Sequence, residues 1–188
     1  MKREIRRKIL QKRENLEEKE WFDKSLKIQK KFLSLPFYKK AKSLLTYVHF
    51  DREVRTDLII ESALCEGKVV CIPKNDWKRE IFIPSQIFSF DDILLNSKIP
   101  EPKFLKPISP SEIEIIVVPG VVFDIFGNRI GMGKGFFDKF FKSLPSSTLK
   151  IGLAFEFQVS EEKLPVDVWD IKVDMIITEE RQIGKWRF

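Results

Sequence analysis

The sequence predicts an α/β fold, a three-layer chain whose mostly parallel sheet is covered by helices on both faces. Three observations predict it. Residues 68–72, 113–118, 149–154 and 173–178 are short apolar runs of the length and composition of strands buried on both sides. Segments of helical pattern alternate with the strand candidates. Five of the eight glycines fall within residues 119–138, directly after the run at 113–118. In open parallel sheets that is where ligands bind, beyond the carboxyl ends of the strands. The length of 188 residues suits one domain, 1–188. Such a chain buries roughly 70 % of the surface its unfolded form exposes, enough for a real core.

The elements follow in order. Residues 2–14 read as a basic helix. Asn15 with Glu18 three residues on resembles a capping box opening a second helix over about 17–34, and Pro36 ends it. A strand is expected at 43–49. A helix follows at 56–66, stopped by Gly67. A short strand at 68–72 closes at Pro73, and residues 80–83 offer another. Residues 84–111, dotted with proline, read as irregular. Strands at 113–118, 149–154 and 173–178 and a helix at 135–143 complete the pattern.

Composition narrows the function. Hydrophobic residues make up 43 %, which excludes a disordered chain, and no apolar run approaches the roughly 20 residues of a membrane helix. The charged N-terminus lacks the apolar stretch of a secretory signal. Cys65 and Cys71 have neither metal nor redox spacing and read as small buried hydrophobes in a reducing cytoplasm. The net charge of +6 and pI of about 9.2 permit nucleic-acid binding and equally suit a polyanionic ligand. No aromatic platform or RNA motif accompanies the basic residues, so nucleic acid is not the expected partner.

The glycine segment carries the chemistry. Gly131, Gly133 and Gly135 alternate around Lys134 and lead into a helix start. Glycine admits backbone angles that let successive N–H groups converge on phosphate oxygens, and a helix N-terminus adds unpaired N–H groups. The segment is not a P-loop: counted from Gly127 the second glycine falls on Met132, and Lys134 is followed by Gly135. Nor is it a dinucleotide fingerprint, because the third glycine position is Phe136. Lys134 supplies a point charge for phosphate. Asp138, in the first helical turn, would repel a phosphate unless a Mg²⁺ ion joined them; alone it reads equally as a helix-start carboxylate. Lys2 and Arg6, four apart, share a helix face that by itself reads as solvated. The pairs Phe136/Phe140 and Phe137/Phe141 have core spacing, and His49 reads as a packed residue.

Residues 123–138 resemble the signature of the 5-formyltetrahydrofolate cyclo-ligases (methenyltetrahydrofolate synthetases). That signature is a strand ending in Pro-Gly, then Phe-Asp, then Gly-x-Arg-Leu-Gly-Arg-Gly-x-Gly-Tyr-Tyr-Asp. Here it reads Phe123-Asp124, then Gly127-Asn128-Arg129-Ile130-Gly131-Met132-Gly133-Lys134-Gly135-Phe136-Phe137-Asp138. The similarity extends to residues 2–6, Glu53 with Thr56, residues 100–102, Leu164-Pro165, Asp170 and Asp174. Met132 stands where the family has arginine, and Phe136 and Phe137 where it has tyrosines.

The resemblance implies a three-layer fold of the ribose-phosphate isomerase/CoA-transferase, Rossmann-like kind. It implies conversion of 5-formyltetrahydrofolate to 5,10-methenyltetrahydrofolate with ATP and Mg²⁺. By the same resemblance Lys2, Arg3, Glu4, Ile5 and Arg6, together with Arg129, Ile130, Gly131, Met132, Gly133, Lys134, Gly135, Phe136 and Phe137, line ATP. Val48, Glu53 and residues 132–136 (Met132, Gly133, Lys134, Gly135, Phe136) face the folate. Arg129 and Lys134 act in catalysis, and Asp138 and Asp170 hold the metal, with Asp174 a third choice. A cytoplasmic monomer is expected, its polyglutamate preference left open. A non-catalytic binder of phosphorylated ligands on the same fold is the alternative.

Overall fold

The computed structural model describes residues 1–184. In chain order the elements are α1 (Lys2–Glu14), α2 (Glu18–Ser34), α3 (Pro36–Lys40), β1 (Ser43–Leu45), α4 (Asp57–Cys65), β2 (Val69–Asp76) and β3 (Ile81–Ile87). There follow β4 (Ile93–Leu94), β5 (Glu101–Pro102), β6 (Ile115–Val118), β7 (Val122–Asp124), β8 (Arg129–Ile130) and α5 (Phe136–Phe141). The last are β9 (Leu149–Leu153), β10 (Val159–Ser160), β11 (Met175–Ile177) and β12 (Gln182–Ile183).

A seven-stranded sheet in the order β12-β11-β9-β6-β1-β2-β3 organises the chain. The five central strands run parallel, and β12 and β3 close the two edges antiparallel. Alternation along each strand sends side chains to opposite faces. Leu44, Val70, Ile115, Val117 and Ile151 meet the helices α2, α3 and α4 through Ile28, Phe32, Tyr38, Ile59 and Ile60. Their neighbours Leu45, Cys71, Ile116 and Val118 meet Phe140 and Phe141 of α5 on the other face. There β7 and β8, with β10, form a second sheet of three strands, and α1 lays Ile5, Ile9 and Leu10 against Val121, Val122 and Ile130.

Several local expectations are corrected. Asn15 caps the end of α1 and makes no capping box; α2 starts at Glu18 without a side-chain cap. Pro36 both ends α2 and opens α3 at its first turn, where the missing N–H costs nothing. The first strand is only three residues long, because the chain leaves the sheet after Leu45 to build the cleft described below. Pro73 does not close β2. It lies inside a long hairpin opposite Pro84, whose carbonyl accepts from the Ile108 N–H and so faces away from β2. Neither proline is asked for a ladder donor at that pair. The glycine segment contains a hairpin, β7–β8, that its composition does not announce. Asp124, fully buried, accepts from the N–H groups of Phe126, Asn128 and Leu164 and from Asn128 Nδ2, and so builds the turn. Gly127, at φ 84°, lies in that turn against the Val173 carbonyl, where no side chain fits.

Phe123 occupies the space left by two glycines, Gly120 and Gly152. A Cβ on Gly152 would fall 2.5 Å from the Phe123 ring. Gly152→Ala is therefore expected to destabilise the fold by about 1–3 kcal/mol through overpacking, measured by urea denaturation. In a Phe123→Leu background the same change is expected to cost less, the mark of a shared cavity.

Candidate functional site

The strand order reverses at β1: the chain continues from β1 through α4 to β2 on one side, while β6 lies on the other. At this switch point, beyond the carboxyl ends of β1 and β6, opens a cleft of about 960 Å³. One wall is the β1 exit with Tyr47, Val48, Phe50 and Glu53, and the opposite wall is the glycine loop 131–135 with the start of α5. Lys2 and Arg6 of α1 and the segment 167–170 close one end, and Trp77 at the tip of the β2–β3 hairpin stands over the loop.

The loop is gripped from outside. Arg129, at its start, donates from Nη2 to Asp138 Oδ2 at 2.9 Å, nine residues on, and from Nη1 to the Pro119 carbonyl. Asp138 Oδ1 accepts from the Ile171 N–H. Arg6 Nε donates to the Gly131 carbonyl at 2.8 Å, and its guanidinium packs against Gly133, where φ is 105°. None of the N–H groups of Gly131, Met132, Gly133, Lys134 or Gly135 donates to an acceptor among the described residues. Five free donors on a bend flanked by Arg6 and Lys2 could hold an anion.

The charges are arranged around it. Lys2 Nζ donates to Asp167 at 2.5 Å and to Asp170 at 2.6 Å. Burial alone would lower the Lys2 ammonium; the bonds to these carboxylates outweigh it and raise it. Burial would raise the Asp170 carboxyl, but the Asp167 N–H and Lys2 pull it below its ordinary value. Burial lowers the Arg129 guanidinium, while Asp138 and Asp170 pull it back. At the far end Glu53 is 8 % exposed. Burial pushes its carboxyl up to about 7, against the pull of the Arg13 charge and the Phe50 N–H.

Each expected residue has a definite place. Of residues 2–6 only Lys2 and Arg6 line the cleft, because α1 turns Arg3 and Glu4 to solvent, with Glu4 pairing Lys8, and sends Ile5 into the core under β8. Arg129 and Ile130 line the floor, both buried. Met132, Gly133 and Lys134 are exposed along the loop, and the Lys134 ammonium lies 5.0 Å over the Trp77 ring, not among the loop amides. Phe136 meets Trp77 edge-on, and Phe137 packs on Phe82 and Phe141. Val48 and Glu53 are together on the opposite wall. Asp174 lies away from the cleft, bonded to the Lys150 N–H and paired with its ammonium.

The carboxylates fit a metal in one way only. Among the described residues no three His, Cys, Asp or Glu side chains gather into a metal cluster. Asp138 and Asp170 both line the cleft, each already bonded to a cation, and Asp170 Oδ1 makes no hydrogen bond. That donor set suits a Mg²⁺ ion that brings most of its oxygens with it, as waters and phosphates. Sequence reading missed Asp167, Trp77 and Trp169 in this cleft. A lone tryptophan in a polar hairpin, Asp76-Trp77-Lys78, is a legible signal; Asp167 has none.

No helix among the described residues is long and apolar enough to cross a membrane. The profile described as the 5-formyltetrahydrofolate cyclo-ligase family matches residues 1–179. The mouse protein named 5-formyltetrahydrofolate cyclo-ligase is 28 % identical over 191 aligned residues, covering 95 % of this chain and 94 % of its own. A solved Aquifex aeolicus 5,10-methenyltetrahydrofolate synthetase is 34 % identical with a TM-score of 0.86, covering 100 % of this chain and 95 % of its own. A Mycoplasma pneumoniae 5,10-methenyltetrahydrofolate synthetase is 26 % identical with a TM-score of 0.79, covering 95 % and 98 %. The profile spans nearly the whole chain and the solved synthetase shares its fold, and the chain belongs to the 5-formyltetrahydrofolate cyclo-ligase family, a family of ligases.

Proposed function

We propose that this chain converts 5-formyltetrahydrofolate to 5,10-methenyltetrahydrofolate with consumption of ATP, acting as a monomer in the cytoplasm. The observation that carries the reading is the row of unbonded amides from Gly131 to Gly135, facing the same cleft as Lys2, Arg6 and Glu53. The amides, with the two cations of α1, take the triphosphate. Glu53 and Val48 on the opposite wall take the pterin, whose amino and ring N–H groups donate to the carboxylate.

The formyl group on N5 is an amide, and its oxygen leaves poorly. Attack of that oxygen on the γ-phosphorus displaces ADP and leaves a phosphorylated oxygen. N10 of the same folate then attacks the activated carbon and gives up its proton to the departing phosphate as the ring closes. Phosphoryl transfer asks the protein for alignment and charge stabilisation, with no side-chain nucleophile. The cleft, lined by no cysteine or histidine, meets that demand. Arg129 holds the loop in register from beneath. Lys134, on an exposed and mobile-length side chain, moves from Trp77 to the transferring phosphoryl group. A Mg²⁺ ion, held by Asp170 and Asp138 with the phosphates, would supply neutralising charge between the phosphate oxygens.

Purified protein mixed with 5-formyltetrahydrofolate, ATP and Mg²⁺ is expected to accumulate methenyl absorbance. Protein that binds ATP yet gives no absorbance change would favour the non-catalytic binder, the reading that Met132, Phe136 and Phe137 motivate. Arg6→Ala is expected to raise the KM for ATP about tenfold or more and that for folate less than threefold, since a charge-assisted contact contributes roughly 1.5–3 kcal/mol. Steady-state kinetics with each substrate varied checks this. Asp138→Asn and Asp170→Asn are expected to differ. Both raise the Mg²⁺ concentration for half-maximal turnover. Only Asp138→Asn also lowers stability, by about 3 kcal/mol in urea, because it removes the ion-paired carboxylate of the buried Arg129.

A further inference from the structure

Two tryptophans line the cleft, and their rings differ in what they touch. Trp77 is committed: the Lys134 ammonium lies 5.0 Å over its ring, and Phe136 meets it edge-on at 5.4 Å. Trp169 is 58 % exposed. Among the described residues its indole has no ring partner, no cation over it and no acceptor for Nε1. A single exposed indole on an open surface would need no explanation. This one lines a cleft and is carried on a turn that is held firmly on both flanks.

That turn runs from Asp167 to Asp170. The Asp170 N–H closes it on the Asp167 carbonyl at 3.1 Å, and the Asp167 N–H donates in return to Asp170 Oδ2 at 2.9 Å. Lys2 Nζ donates to both carboxylates and so clamps the two ends together from α1. Upstream the buried Asp124 holds the Leu164 N–H, and downstream Asp138 holds the Ile171 N–H. Val168 and Trp169 form the apex. Val168 is 97 % exposed and outside the cleft lining, whereas Trp169 belongs to that lining. An ammonium has three donors. Two of those on Lys2 go to the turn, which leaves the third for a phosphate oxygen. The cation that meets the triphosphate is thus the one that fixes the turn carrying the indole.

We propose that Trp169 is the nucleobase platform of the ATP site: its indole stacks on the adenine ring. The assignment rests on the function proposed above. With the pterin at Glu53 and Val48, the γ-phosphate points to that wall, and the base lies beyond the other end of the triphosphate. The cleft end closed by Lys2, Arg6 and residues 167–170 is the one that carries Trp169. An indole offers a broad π face, and stacking on it does not depend on the hydrogen-bonding edge of the base. The turn is held before a ligand arrives, so stacking orders little that was free.

Calorimetry on the full chain, with Mg²⁺ and without folate, compares ATP with inorganic tripolyphosphate, which has the phosphates and no base. Trp169→Ala is expected to weaken ATP about tenfold and tripolyphosphate less than about twofold, since stacking of one base on an aromatic ring is of that size. Trp169→Phe, which keeps a π face, is expected to stay within about threefold of wild type for ATP. A Trp169→Ala protein that binds ATP as wild type does overturns the proposal. So does an equal loss for ATP and tripolyphosphate, which would make the turn a support for Lys2 alone. So does a loss confined to the KM for 5-formyltetrahydrofolate. If Trp77→Ala and not Trp169→Ala removes the difference between the two ligands, the base lies over the glycine loop and the proposal falls. Wild-type protein that binds neither ligand removes the anion site, and the proposed function with it. Tight binding of ATP with no methenyl product removes the catalytic reading alone, and the loss in Trp169→Ala then still supports the platform.

Discussion

The ion pair between Arg129 and Asp138 is the constraint on which the cleft depends. It joins β8 to the first turn of α5 and so fixes both ends of the glycine loop. With the ends pinned, and the Gly131 carbonyl held by Arg6, the loop needs no hydrogen bonds of its own to keep its shape. Its amides are left free, which a self-bonded turn of the same length would not allow. The pair is buried beneath Phe137 and Phe141, whose rings face the guanidinium at 5.8 and 5.6 Å. In that setting the charges are little screened, and Asp138 is a support of the loop as well as a cleft carboxylate.

Helix α1 spans the cleft as a bar. Its N-terminal turns bring Lys2 to Asp167 and Asp170 and Arg6 to the glycine loop, and its last turn buries Arg13 behind the opposite wall. It makes little contact with the large sheet and is held by Ile5, Ile9 and Leu10 on the small one. The small sheet in turn is organised by Asp124, whose four accepted hydrogen bonds build the hairpin turn and fasten Leu164. The Phe-Asp of the signature is thus architectural: Phe123 seats the hairpin on Gly120 and Gly152, and Asp124 shapes it. From there the chain delivers Arg129 to the loop.

The central strands and α1, α2, α4 and α5 were legible in the sequence because each is a local pattern that tertiary packing reinforces. The apolar run at 115–118, the glycine at 67 with φ 71° and the basic residues of α1 are such cases. The β7–β8 hairpin and the passage of β2 through Pro73 were not. Both depend on partners distant in sequence: Leu164 and Val173 for the hairpin turn, and Ile108 on the far side of Pro84 for the β2–β3 ladder. A proline read locally is a stop; read in register, it is a residue with no donor where no donor is needed.

The sequence by itself determined the succession of the central strands and main helices, the position of the glycine loop after a buried strand, and the family signature around it. Those follow from periodicity and from the backbone freedom of glycine, which act over a few residues. Only the tertiary structure decided which two of residues 2–6 face the cleft, that Asp138 meets Arg129, that Asp174 belongs to Lys150, and that Arg13 is buried beside Asp51. Charges choose partners by distance and burial, and both are set by how the chain folds back on itself.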